Sequence, residues 1–186
     1  MTGVDGCDTP VNAPIRQDLI ALSSYHDALA TRGISEDTCE LLGIGFLPQG
    51  RSPLKGRIVF QVADARPCIH GNPAVRDASL GARPQGRGAS MAQSEADASS
   101  ELSREPMERV ILSHLGRALE DTTEPKYLFY QGFHKSAELY GQELIWLHED
   151  AADQIAQTGA IVLTEGPFDV AKAVEAGLRN VVGSFG

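Results

Sequence analysis

The sequence predicts an α/β protein: an α+β amino-terminal subdomain followed by a strand–helix–strand unit with parallel strands. Three observations carry this reading. Apolar residues between Ala13 and Arg32 recur mostly at helical spacing. The runs "GRIVF" and "RVIL" are rich in β-branched residues, as strands are. The stretch "GAIVLTEGPFDVAKAVEAGLRNVVGSFG", residues 159 to 186, reads as strand, helix, strand, which implies a parallel pair and a right-handed crossover.

Taken in order, residues 1–13 carry Gly, Asp, Pro and Asn without periodicity and are expected to form a flexible tail. Ile15, Leu19, Leu22, Ala28 and Leu29 predict a helix over 13–32, with Gly33 as its stop. In "ISEDTCELLG", Ser35 is placed to cap a short helix, Glu36 and Asp37 suit its first turn, and Gly43 ends it. A strand is expected over 56–65, carried by Ile58, Val59, Phe60 and Val62. Residues from about 66 to 108 are dense in Ala, Ser, Gly, Pro and charge. Such a stretch buries too little apolar surface to offset its ordering entropy, so a disordered insertion is expected there.

Order resumes at Val110, Ile111 and Leu112, read as a second strand. A polar connection with aromatic residues, "EDTTEPKYLFYQGFHKSAELYG", leads to a short apolar piece, "QELIWL", and a helix near 149–158 stopped by Gly159. The final unit then gives a strand over 160–165, a helix over 167–176 and a strand over 180–185. The expected division is a tail at 1–13, a subdomain at 14–158 and the start of a further domain at 159–186.

Composition narrows the classes. With 186 residues and 42% hydrophobic residues the chain can bury a core of ordinary domain size. It has no apolar run of about 18 residues and no basic start followed by an apolar segment. No membrane partner and a cytoplasmic location are therefore expected. Cys7, Cys39 and Cys68 are odd in number and lack the paired spacing of a zinc site, so reduced thiols and no zinc are expected. A net charge of -9 argues against a generally basic coat, yet a local basic groove needs only a few Lys or Arg.

Chemistry concentrates in "LTEGPFD". Pro167, with fixed φ and no N–H, suits a first helical position, and Gly166 suits the turn before it. Glu165 then sits at the carboxyl end of a parallel strand, where open α/β sheets place ligands. Asp169 falls in the first helical turn beside it. Two carboxylates at one strand mouth can hold a hard cation next to a polyphosphate. The plain alternative is that Asp169 serves only the helix N-terminus and Glu165 is a solvated strand end. No Gly-rich phosphate loop of known spacing is present.

"EGPFD", with a strand before it and "AGLRNVVGSFG" after it, resembles the opening of a Toprim domain, the metal-binding module of DnaG-type primases, type IA topoisomerases and several nucleases. Gly177, Asn180 and Gly186 match the spacing of the primase form. Upstream, "RGISEDTCELLGIGFLP", "GRIVF", "LGRAL", "EPKYL" and "FHKSAELYG" stand in the order of the bacterial primase RNA-polymerase core. The resemblance covers about 15–65 and 108–186. It implies a catalytic and metal-binding role for Glu165, metal support from Asp169, and Mg2+ or Mn2+ as cofactor. It also implies that Arg117, Lys126, Lys135 and, more loosely, Arg57 face nucleic acid or nucleotide. Tyr127 can stack on a base or simply pack. His134, Leu128 and Tyr140 are read as structural.

The chain departs from the primase pattern at "HLGR", at Phe129 where an Asn is usual, and at "YQG" after it. The Asp residues that complete a Toprim metal site lie on later strands than this sequence reaches. The expectation is thus a fragment of a primase, inactive alone. The parent would make RNA primers from ribonucleoside triphosphates on single-stranded DNA, with a replicative helicase as partner. A non-catalytic single-stranded nucleic-acid-binding module and a Toprim nuclease of a mobile element are the alternatives.

Overall fold

A computed structural model describes residues 11–15, 24–67 and 107–186. The first helix is α1, Asp27–Ala30, begun by His26, whose Nδ1 accepts from the Ala28 N–H at 3.0 Å. The helix predicted over 13–32 is therefore corrected within the described residues. Ser24 exchanges two backbone hydrogen bonds with Phe46, 3.0 and 2.7 Å long, and Ile15 N–H donates to the Ile111 carbonyl at 2.8 Å. Backbone groups committed to strand-like pairing are not available to a helix. Residues 16–23 lie outside the described part, as do the expected tail to residue 10 and nearly all of the expected insertion.

Helix α2, Glu36–Leu42, forms as its sequence predicts: the Ser35 hydroxyl accepts from the Thr38 N–H at 3.2 Å, and Gly43 closes it at φ +62. A Cβ at residue 43 would lie 2.5 Å from the Gln61 side-chain oxygen, so glycine is required by space as well as by φ. Strand β1, Ile44–Phe46, follows at once and pairs antiparallel with β2, Arg57–Pro67, placing Ile44 opposite Phe60. β2 neighbours β3, Met107–Ala118, in a four-stranded sheet closed by β4, Tyr127–Phe129, antiparallel to β3. The expected strand at 110–112 is thus part of a twelve-residue one. Segment "KYLF", read as a connection, contributes its own strand.

Helices α3, Gln142–Leu147, and α4, Glu149–Thr158, lead to β5, Val162–Thr164. Helix α5, Pro167–Glu175, then crosses to β6, Val181–Gly183, which pairs parallel with β5. The predicted βαβ unit is present, each element within a few residues of its expected bounds.

The core gathers Leu29, Leu42, Phe60, Tyr140, Val170 and Val181, all fully buried. Tyr140 joins the parts: its backbone exchanges hydrogen bonds of 2.8 and 2.9 Å with Gly183, and its hydroxyl donates to the Leu42 carbonyl at 3.3 Å. Gly183 is needed here, because a Cβ would meet Val170 at 2.9 Å and the Gly166 carbonyl oxygen at 3.2 Å. The first turn of α5 is in this way pressed against the end of β6.

Candidate functional site

The tight passage from β5 into α5 builds the site. Gly166 is extended, Pro167 occupies the first helical turn, and the Asp169 N–H donates back to the Gly166 carbonyl at 3.1 Å. The open side of Gly166 faces Asp169: a Cβ there would lie 3.8 Å from an Asp169 carboxylate oxygen. On the β6 side, the Ser184 hydroxyl donates to the Glu165 carbonyl at 3.3 Å, holding the Glu165 backbone.

Glu165 and Asp169, both exposed, line one cleft of about 290 Å3 together with Tyr127, Phe129 and Phe185. Phe129 and Phe185 meet edge to face with centroids 5.4 Å apart and give the cleft an aromatic wall. Tyr127, at the start of β4, is 40% exposed, unlike the fully buried Tyr140. Three residues singled out in the sequence, Glu165, Asp169 and Tyr127, thus line the same cleft.

The predicted cations divide by environment. Arg57 is buried, and its guanidinium donates to the Pro125 carbonyl at 2.8 Å, which fixes the loop before Lys126. Arg117 is also buried. It pairs with Asp121 at 2.6 Å, donates to the Ala118 carbonyl, and lies 5.8 Å from the Tyr127 ring centroid. Lys126, 48% exposed, shares the same carboxylate at 3.4 Å. The Arg117 hydrogen bond, followed by that from Lys126, holds the Asp121 carboxyl below its ordinary range. Lys135 stands at the other edge, donating to the Gly186 carbonyl. Gly186 itself lines the cleft.

One cation escaped the sequence reading. The Arg32 guanidinium lies 4.6 Å over the centroid of Phe168, between Glu165 and Asp169 in sequence. Arg32 is exposed and has no acidic partner among the described residues. A lone Arg before a glycine helix stop carries no local signal, because its ring partner is far away in the chain.

Among the described residues no three His, Cys, Asp or Glu side chains converge as a metal cluster. The two carboxylates still fit a hard divalent cation. Mg2+ commonly takes one or two carboxylates and draws its remaining oxygens from water and phosphate. The paired oxygen donors beside Gly166 are of that kind.

Comparison with solved structures places this fold. It is the α/β fold of bacterial primase catalytic cores, and it matches the zinc-binding and RNA polymerase domains of the Aquifex aeolicus primase with a TM-score of 0.51. That match has 19% identity and covers 86% of this chain and 36% of the other. The E. coli primase catalytic core gives 19% identity, TM-score 0.49, and coverage of 86% and 47%. A DNA primase domain from Pseudomonas aeruginosa gives 21%, 0.49, and coverage of 86% and 46%. This chain spans less than half the length of each of these. No protein-family model and no curated protein matches the sequence.

Proposed function

We propose that this chain is part of a DnaG-type primase, and that its Glu165–Asp169 cleft is where a nucleotide and single-stranded DNA meet. The observation that carries the proposal is that two exposed carboxylates and an exposed tyrosine line one cleft, with Lys126 preceding Tyr127 in the chain, Lys135 bonded to the Gly186 carbonyl and Arg32 stacked on Phe168 next to Asp169. A polyanionic substrate beside acidic groups needs compensating cations close by. Arg32, Lys126 and Lys135 supply accessible charge, while Arg57 and Arg117 hold the loop and strand that present Lys126 and Tyr127. The primase-core fold supports the same reading.

Glu165 and Asp169 would hold Mg2+ or Mn2+ in the complete enzyme. When bound, that ion supplies charge neutralisation and Lewis acidity at the phosphates. Glu165 takes the proton from the attacking 3′-hydroxyl oxygen, and Asp169 supports it from the first turn of α5. Lys126 and Arg32 bind phosphate oxygens of template or ribonucleoside triphosphate. Tyr127 stacks on a base. A replicative helicase as partner belongs to the same proposal.

The test is fluorescence anisotropy of a dye-labelled oligo(dT) titrated with the protein across a salt series. Affinity should fall as salt rises, with a log–log slope near -0.7 for each phosphate contacted. Lys126→Glu, on an exposed side chain, should weaken binding about tenfold at low salt. Undetectable wild-type binding, or unchanged affinity in Lys126→Glu, would overturn this assignment.

A further inference from the structure

We propose that Phe168 is a positioning residue that holds Arg32 at the acidic corner for contact with phosphate. This rests on the polyanion-binding role proposed above and assigns a specific device to it. Three residues of α5, Phe168, Lys172 and Glu175, follow the spacing that lines up one helical face. All three engage the short segment from Arg32 to Ser35. The Lys172 ammonium donates to the Arg32 and Gly33 carbonyls at 3.0 and 3.3 Å. One Glu175 carboxylate oxygen accepts from both the Ser35 N–H and its hydroxyl at 2.9 Å. Phe168 completes the row with its ring under the Arg32 guanidinium at 4.6 Å.

The Phe168 ring is itself fixed. Phe60, fully buried on β2, meets it edge to face with centroids 4.9 Å apart and planes at 90°. The negative face of the ring is an attractive seat for a cation, and a planar guanidinium can keep its N–H groups directed outward while stacked. Lys172 and Glu175 therefore anchor the backbone of the segment, and Phe168 orients its charged side chain. Arg32 differs from Arg117 and Lys126, which share Asp121. Its charge is uncommitted among the described residues and available to a phosphate.

The experiment compares oligo(dT) affinity for wild type, Arg32→Ala, Phe168→Leu, Phe168→Tyr and the double variant Arg32→Ala/Phe168→Leu. Arg32→Ala should weaken binding about tenfold, as loss of a phosphate contact does at low salt. Phe168→Leu, which keeps apolar bulk and loses the ring, should weaken it about threefold, and Phe168→Tyr should restore it. In the Arg32→Ala background, Phe168→Leu should have no further effect. Wild-type binding with an unchanged Arg32→Ala affinity overturns the proposal. So does a Phe168→Leu loss that persists undiminished without Arg32, since that traces the effect to packing or to Arg117, 5.9 Å from the same ring centroid, rather than to Arg32. Absence of wild-type binding overturns the functional reading itself, and this proposal with it.

Discussion

At the scale of single residues, the least expected feature is a buried ion pair. Glu143 on α3 is 2% exposed and meets Arg109 of β3 at 3.2 Å, while Arg109 remains 30% exposed. Arg109 also donates to Gln61, so the pair ties α3 to two strands of the sheet. Burial pushes the Glu143 carboxyl above its ordinary range, and Arg109 opposes that rise. A raised folded-state value means that this group favours the fold at pH below the ordinary carboxylate range. Its contribution is lost as pH rises through the folded value. Arg109→Ala should then cost about 2 kcal/mol at neutral pH, the usual penalty being reduced by the exposure of Arg109. That cost should shrink at acidic pH, where Glu143 takes up a proton. Glu143→Gln, which leaves no buried charge, should cost less than about 1 kcal/mol. Denaturant unfolding at the two pH values checks this, and equal costs for Arg109→Ala at both would contradict it. Cys39, by contrast, is a buried thiol pushed up to about 11, chiefly by desolvation.

The elements show where sequence was sufficient. Helix α2 carries its cap, its acidic first turn and its glycine stop within ten residues, so local chemistry alone defined it. The β5–α5–β6 unit was legible for the same reason, and with it the placement of Glu165 and Asp169. The segment 13–32 was not, because apolar spacing cannot report that Ser24 pairs with Phe46 across the chain. Strand β4 was hidden by its length of three residues and depends on register with β3. Arg32 was missed because its ring partner, Phe168, belongs to a distant helix. The joint between α5 and β6 gives a prediction at this scale. Gly183→Ala would place a methyl 2.9 Å from Val170 and 3.2 Å from the Gly166 carbonyl oxygen. We expect about 1–3 kcal/mol of destabilisation by thermal or denaturant unfolding. A variant as stable as wild type would show that α5 does not pack against β6 in this way.

Across the whole described molecule, charge is distributed against its own average. The chain carries a net charge of -9, yet Arg32 and Arg117 both sit at the ring of Phe168, the neighbour of Asp169 in sequence, and Lys126 precedes Tyr127 of the cleft. No described helix is long and apolar enough to cross a membrane. In the proposed site, acids lining the cleft and cations near it would give the response to metal a definite sign. Without a divalent ion, the two carboxylates repel phosphate and oppose the cations. With one, the proposal makes the same carboxylates part of a phosphate-binding site.

If acids and cations act as one site, ribonucleoside triphosphate affinity reports it. That affinity should be measured with and without Mg2+ in wild type and in Glu165→Gln/Asp169→Asn. We expect Mg2+ to strengthen binding in wild type by about tenfold or more. The double variant should bind the metal-free triphosphate more tightly than wild type does and gain nothing from Mg2+. Equal Mg2+ enhancement in both proteins, or none in wild type, would contradict the account.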